Sequence, residues 1–262
     1  MSSSALQVAR TGLDAQDMKM RVIANNLANV NTTGFKRDRA NFETLAYQQM
    51  VAAGAQSTAE NKFATGLNLG SGVRLAGTAR IDTQGTLNST GNSLDLAIEG
   101  AGFFQVQQPD GSTAYSRAGN LSLSAEGNLV TTEGMPIIPQ ITVPEGASGV
   151  TIGSDGTVSA TLTGQSEPTQ LGQIEIARFV NPAGLASIGG NLLTETAASG
   201  AAQVGAAGSE GRGSIRQGML EGSNVNTVEE LVEMIETQRA YEVASKMIKA
   251  TDEMMQFANQ QM

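Results

Sequence analysis

The sequence predicts an α+β protein in which coiled-coil-like helices at the N and C termini form a discontinuous stem, with an inserted all-β domain of short antiparallel strands. Apolar residues recur in steps of three and four near both ends of the 262-residue chain, which is a helical spacing. The middle shows short alternating runs separated by turn residues. With 31 glycines and only 4% aromatic residues, the composition is typical of many turns and a thin core.

The predicted domains follow this order along the chain. Residues 1–35 and 216–262 are the two halves of the helical stem, or inner core domain. Residues 36–85 are an extended linker or intermediate domain, and residues 86–215 are a β-rich outer domain.

The first helix is predicted over residues 5–29. Ser4 followed by Gln7 matches a capping box, in which each side chain takes up a backbone N–H at the helix start. The repeating positions average about 3.5 residues, the spacing of a coiled-coil seam. They are Leu6, Ala9, Leu13, Gln16, Met20, Ile23, Leu27 and Val30.

The second helix is predicted over residues 223–262, which contain neither Gly nor Pro. Thr227 with Glu230 forms a second predicted capping box. The same spacing of about 3.5 residues favours a partner helix, while an amphipathic helix packed on its own domain remains the alternative. The repeating positions are Met234, Thr237, Tyr241, Ala244, Ile248, Thr251, Met255 and Ala258.

Opposite charge favours pairing of the two terminal segments. Residues 1–45 carry six basic and four acidic side chains, whereas residues 219–262 carry three basic and eight acidic ones. Surface ion pairs contribute only ~0–1 kcal/mol each, and seams rich in Ala, Thr and Gln bury little apolar area. We therefore expect the helices to become fully ordered only when other copies of the chain pack around them.

Between the helices the pattern changes twice. Gly34 is expected to adopt a left-handed conformation as a helix cap, and residues 36–80 read as an extended segment with little core. Residues 197–213, rich in Gly, Ala and Ser, are expected to form an irregular return path. Alternating runs predict strands at 94–98, 103–107, 113–116, 121–124, 128–132, 142–143, 150–152, 157–162 and 173–180.

Composition excludes several classes of function. The chain has no His and no Cys, which removes thiol chemistry, zinc-type sites and the commonest general base. A formal charge of -9 disfavours nucleic acid as a partner. The sequence has no apolar stretch long enough for direct membrane insertion and no cleavable signal peptide. We predict no catalytic, cofactor-binding or metal-binding residues. A secreted β-rich module that binds carbohydrate or another ligand on a helical stalk remains the alternative of a different class.

Three segments resemble the signatures of one family. Residues 24–37, ANNLANVNTTGFKR, are similar to the N-terminal signature of bacterial flagellar axial proteins, the rod and hook subunits. Residues 92–106 resemble the signature at the start of that family's β region, and residues 221–256 resemble its C-terminal signature. Within the family, the length of the chain and residues 54–93 are most similar to distal-rod subunits. Proximal rod and hook subunits are the competing assignments.

The resemblance implies a non-enzymatic structural subunit that assembles helically into the rigid drive shaft between motor and hook. It implies a homopolymer whose further partners are other rod subunits, hook subunits, the flagellar P- and L-ring proteins and the type III export apparatus. It also implies a location in the basal body from periplasm to outer membrane. Residues expected to carry assembly are Leu6, Leu13, Met20, Ile23, Leu27, Val30, Leu231, Met234, Tyr241, Ile248 and Met255.

Overall fold

Two long helices stand at the two ends of the chain, with twenty short strands between them in the described residues. The computed structural model describes residues 2–52, 54, 56, 64–162 and 167–260. Helix α1 spans Ser2–Ala28 and helix α2 spans Thr227–Gln260. The predicted fold class, α+β with terminal helices around short antiparallel strands, is confirmed.

The chain divides into two compact units. Unit 1 comprises Met1–Leu27, Asp38–Ala79 and Asn226–Met262, and therefore holds both helices. It also holds strands β1 (Asp38–Thr44), β2 (Tyr47–Val51), β3 (Leu67–Gly70) and nearly all of β4 (Val73–Arg80). β1 pairs with β4, and β2 pairs with β3 in an antiparallel hairpin. The strands of this hairpin are almost entirely exposed.

Unit 2 comprises Ala28–Arg37 and Arg80–Val225 and consists of short strands. Its strands are β5 (Leu87–Ser89), β6 (Leu96–Glu99), β7 (Phe103–Gln107), β8 (Thr113–Ser116), β9 (Leu121–Leu123), β10 (Leu129–Thr131), β11 (Ile137–Ile138), β12 (Ala147–Ile152), β13 (Thr157–Leu162), β14 (Thr169–Gln173), β15 (Glu175–Arg178), β16 (Ala186–Gly189), β17 (Leu192–Thr194), β18 (Gln203–Ala206), β19 (Ser214–Gln217) and β20 (Met219–Glu221). A 3₁₀ turn, Pro182–Gly184, precedes β16.

A seven-stranded sheet is the largest layer of unit 2. Its order is β16-β17-β8-β7-β15-β18, with β11 also paired to β7. A three-stranded sheet, β12-β13-β14, and the pairs β10-β9, β19-β6 and β20-β5 complete the unit. Neighbouring residues of β7 enter different clusters, because successive side chains of a strand point to opposite faces. Phe104 packs with Leu96, Ile98 and Ile176, and Phe103 packs with Tyr115 and Phe179.

Several strand predictions are confirmed and others need correction. Residues 103–107, 113–116 and 157–162 form strands with the predicted bounds. The predicted strand at 173–180 is instead divided between β14 and β15, and residues 142–143 contribute only an isolated bridge from Thr142 to Asn128. The predicted irregular path at 197–213 contains β18, which extends the large sheet beside β15. Its small residues lack the apolar alternation that would have indicated a strand.

The predicted helix caps are also corrected. The backbone N–H of Val228 donates to Oδ1 of Asn226 at 3.1 Å, so Asn226 caps α2 and Thr227 does not. Asparagine is among the strongest N-cap residues, and Glu230 is turned towards α1 instead of back to the helix start. Helix α1 already begins at Ser2, and the side chain of Ser4 lies outside the described part of the chain.

Candidate assembly site

Helices α1 and α2 meet through polar side chains within unit 1. Nδ2 of Asn26 donates to Oε2 of Glu230 at 3.3 Å, and both residues are at least 99% buried. A second contact joins Nζ of Lys19 to Oε2 of Glu233 at 4.0 Å, with both side chains about one-third exposed. Because a buried polar contact tolerates little sliding, these residues define how the two helices align.

Asn26 also ties α1 to the first strand of unit 1. Its Nδ2 donates to the backbone oxygen of Asp38 at 2.9 Å, and its Oδ1 accepts the backbone N–H of Asp38 at 2.9 Å.

Thr237, 1% exposed, donates its hydroxyl to the backbone oxygen of Glu233 at 2.7 Å. Among the described side chains of α2, the buried ones are therefore the polar Glu230 and Thr237.

The large apolar side chains of α2 lie mostly on its exposed surface. Nine of them are between 42% and 69% exposed: Val228, Leu231, Val232, Ile235, Tyr241, Val243, Met247, Met254 and Phe257. In α1, Val8 and Met18 are 39% and 40% exposed. Exposed apolar surface on this scale marks an interaction surface.

The structure places the predicted assembly residues in three environments. Ile23 is 2% exposed and belongs to the interior. Leu231 and Tyr241 are 43% and 42% exposed, and the side chain of Met255 lies outside the described part. The half-buried residues are Leu6, Leu13, Met20, Leu27, Val30, Met234 and Ile248. Their role in assembly stays a prediction.

Unit 2 contains a buried charge cluster that sequence reasoning missed. Glu221 accepts from Nζ of Lys36 and from Nε of Arg117, both at 2.6 Å. Its Oε1 also accepts the backbone N–H of Gly85 at 2.9 Å. The side chains of Lys36, Arg117 and Glu221 are 5%, 7% and 0% exposed. The cluster therefore joins three segments that are distant in sequence.

The remaining donors of the cluster are satisfied by backbone carbonyls. Lys36 donates to the oxygen of Thr83 at 2.8 Å. The guanidinium of Arg117 donates to the oxygens of Gly100 and Ile98 at 2.6 and 3.1 Å and also bonds the oxygen of Gly102. Hydrogen bonds of this kind make buried charges tolerable.

The cluster perturbs the acidity of its members. Burial lowers the pKa of the Lys36 ammonium below its ordinary value of 10.5, against the opposing effect of Glu221. Burial alone would raise the pKa of Glu221. The positive charge of Arg117 and the hydrogen bonds from Lys36 and Arg117 outweigh it and hold that pKa below the ordinary 4.5. Near neutral pH the carboxylate is therefore charged.

Asn224 and Gly34 tighten the same region of unit 2. Oδ1 of Asn224 accepts the backbone N–H of Arg37 at 2.7 Å, and its Nδ2 donates to the backbone oxygen of Ile81 at 2.8 Å. Gly34 has a φ of +70°, as predicted, although α1 ends earlier, at Ala28, so Gly34 does not cap it. A Cβ at Gly34 would lie 2.7 Å from the carbonyl carbon of Arg117.

A signal for this cluster was present in the sequence. Lys36 and Glu221 lie within the signature segments at residues 24–37 and 221–256. Their opposite charges are the signal for a pair, but 185 residues separate them, and Arg117 lies in no signature segment. Over the described residues, neither helix is long and apolar enough to cross a membrane. No three His, Cys, Asp or Glu residues in the same part converge to hold a metal ion.

Three family models match the chain. The model described as Flagella basal body rod protein matches residues 6–36. The Flagellar hook protein FlgE/F/G D1 domain matches residues 97–160, and the Flagellar basal body rod FlgEFG protein C-terminal matches residues 216–261.

Curated relatives match over nearly the whole length. The flagellar basal-body rod protein FlgG of Buchnera aphidicola subsp. Acyrthosiphon pisum is 50% identical over 256 residues, covering 98% of each chain. FlgG of Caulobacter vibrioides is 46% identical over 257 residues, again 98% of each chain. FlgF of the same bacterium is 36% identical over 244 residues, covering 92% of this chain and 90% of FlgF. The chain therefore belongs to the FlgG family of flagellar basal-body rod proteins.

Proposed function

We propose that this chain is a structural subunit of the flagellar distal rod, which self-assembles helically into the rigid shaft that transmits torque from motor to hook. The observation that carries the proposal is its full-length identity to FlgG proteins, 50% for the Buchnera relative above. Within Caulobacter, identity to FlgG exceeds identity to FlgF, 46% against 36%. This difference favours the distal-rod assignment over other rod subunits.

The exposed apolar face of α2 supports self-assembly. Nine large apolar side chains would stay in water if the chain remained a monomer, and each contributes about 1.5–3 kcal/mol when fully buried. Packing against other copies removes this surface from water. In this proposal the two helices form the inner core of the tube, residues 36–85 the intermediate layer and residues 86–215 the outer domain.

The buried cluster supports a rigid subunit. Glu221, Lys36 and Arg117 hold together three segments of unit 2 through short charge-assisted hydrogen bonds. Such a buried hydrogen-bonded network resists local opening, which suits a part that carries mechanical load.

The partners follow from the same proposal. Other rod subunits and hook subunits continue the shaft, and the P- and L-ring proteins surround it. The type III export apparatus delivers the chain without a cleaved signal peptide. The subunit is then located in the basal body, from the periplasm to the outer membrane.

Electron microscopy of basal bodies from a strain lacking this chain tests the assignment. We expect the distal shaft and hook to be missing and a short proximal stub to remain. A complete shaft that lacks only the hook would contradict it.

A point variant tests the assembly residues. Ile248→Asp places a charge at a half-buried position of α2, so we expect an expressed and exported chain that does not complete the rod. Swimming in soft agar should be lost. Gln238→Asp, at an exposed position of the same helix, is the matched control and should swim. Normal swimming of the Ile248 variant would remove that residue from the assembly surface.

A further inference from the structure

Unit 1 contains an apolar groove of about 480 Å³. It lies between the N-terminal part of α1, the β2-β3 hairpin and the C-terminal half of α2. Val8, Leu69 and Met247 form part of its walls and are 39%, 42% and 58% exposed. Gly12, Gly70 and Ala244 also line it, and because none of them carries a large side chain, the space stays open. We call this feature the stem groove.

The C-terminal end of α2 presents side chains that suit such a groove. Met254 and Phe257 are 65% and 63% exposed. They are three residues apart on one helix, so they share a face. A helix binds in an apolar groove through large apolar side chains that share one of its faces.

The groove and the helix end of one chain cannot meet. Helix α2 continues without a break from Thr227 to Gln260. Phe257 therefore lies about 15 Å along the helix axis beyond Met247, at about 1.5 Å per residue. A straight helix cannot return to a groove that it lines itself, so an α2 end in the stem groove belongs to another copy.

Charge is complementary between the two surfaces. Two exposed basic residues, Arg10 and Lys246, are sequence neighbours of groove-lining residues in α1 and α2 and are not part of the walls themselves. Residues 250–257 of α2 also contain two charged residues, Asp252 and Glu253, both acidic. Opposite charge around an apolar contact favours this partner and this orientation.

We propose that the stem groove receives the Met254–Phe257 end of α2 from a second copy of the chain. This inference rests on the proposed function and names the contact that propagates the polymer. Because the groove and the helix end are different surfaces, the contact is heterologous, and repeating it produces an open helical assembly instead of a closed dimer. Every added copy fills one groove and presents another.

Cysteine cross-linking tests the contact directly, because the chain has no Cys of its own. A Cβ at Gly12 meets no atom within 4 Å, so Gly12→Cys is accommodated in the groove. The full-length double variant Gly12→Cys/Glu253→Cys keeps Met254 and Phe257, because Glu253 lies one turn before Phe257 at an exposed position. It is concentrated, its polymer is collected by sedimentation, and the pellet is oxidised. We expect a ladder of dimers, trimers and longer products on a non-reducing gel. Each single variant should run as a monomer on the same gel.

The outcomes separate this inference from the proposed function. If the unmodified chain forms no sedimentable polymer, the proposed function fails and the contact fails with it. If the polymer forms and the double variant gives no ladder, the groove contact alone is overturned. Dimers of the Gly12→Cys single variant would instead place a second α1 in the groove and would also overturn it.

An apolar truncation and a charge exchange test the same contact without cysteine. Phe257→Ala should raise the concentration needed for polymer formation about tenfold or more, because one large apolar side chain loses its burial. Lys246→Glu should also weaken assembly, and adding Glu253→Lys should restore it. An unchanged threshold in the Phe257 variant would contradict the proposal.

Discussion

Removing the charge of Glu221 is the sharpest test of the buried cluster. Glu221→Gln keeps the shape of the side chain but leaves two cations, Lys36 and Arg117, without their carboxylate. Losing one partner of a buried ion pair costs about 3–5 kcal/mol. Both cations keep backbone carbonyl acceptors, Thr83 for the lysine and Gly100 among those of the arginine. We therefore expect a loss near the lower end, about 3 kcal/mol.

Urea unfolding of the purified chain followed by near-ultraviolet circular dichroism measures this loss. The chain has no Trp and 3 Tyr. Tyr47 and Tyr241 are exposed, whereas Tyr115 packs edge-on against Phe179 at 4.8 Å between ring centroids. The tyrosine signal therefore reports on unit 2.

A surface ion pair provides the control for this measurement. Glu99 contacts Nε of Arg216 at 2.7 Å, and the two side chains are 47% and 54% exposed. Glu99→Gln should cost less than about 1 kcal/mol, because water screens an exposed pair. If Glu221→Gln also changes the free energy of unfolding by less than about 1 kcal/mol, the cluster does not hold unit 2 together.

Three further predictions concern the same unit. Because the pKa of Glu221 in the folded chain is below its ordinary 4.5, the carboxylate stabilises the folded state at pH values above 4.5, and this contribution should be lost as the pH falls through the folded pKa. A plot of the urea midpoint against pH should show this loss in the parent chain and not in Glu221→Gln. Gly34→Ala should destabilise by about 2 kcal/mol or more, because φ is +70° and the new Cβ meets the Arg117 backbone. Gly91→Ala, with φ of +73° and open space around it, should cost only about 1 kcal/mol; equal losses in urea would refute the steric reason. Asn224→Ala should cost about 2–3 kcal/mol by the same assay, because it removes hydrogen bonds to several backbone groups, and a loss below about 0.5 kcal/mol would contradict this.

The helices and the strands β6–β10 and β12–β15 could be predicted, at least in part, because their signals are local. A repeat of three and four, or an alternation of two, is visible in any short window of sequence. The bounds of β7, β8 and β13 follow from such alternation. Strand β18 has a small-residue sequence, QVGA, and becomes a strand because β15 offers it an edge. That information is tertiary, so a local pattern does not carry it.

The sequence contains only a partial signal for the buried cluster, for a related reason. Lys36 and Glu221 are 185 residues apart, and Arg117 lies 104 residues before Glu221. A charged residue in a polar segment usually lies in water. Only the fold brings these three residues together. The pairing of β19 with β6 and of β20 with β5 fixes the position of Glu221, the last residue of β20.

The predicted seam of α2 and most of its exposed apolar side chains occupy different positions on the helix. Of the predicted seam residues, Thr237 is buried and Met234, Ala244, Ile248 and Thr251 are half-buried, whereas Tyr241 is exposed. The contact with α1 uses Asn26 and Glu230, which supply direction and little hydrophobic free energy. The large apolar side chains outside the seam, such as Val232, Ile235 and Phe257, are exposed to water. An exposed apolar face raises the free energy of the monomer, and burial of that face on association lowers it. The division therefore explains how one helix can have a defined place in its own subunit and still retain a driving force for polymerisation.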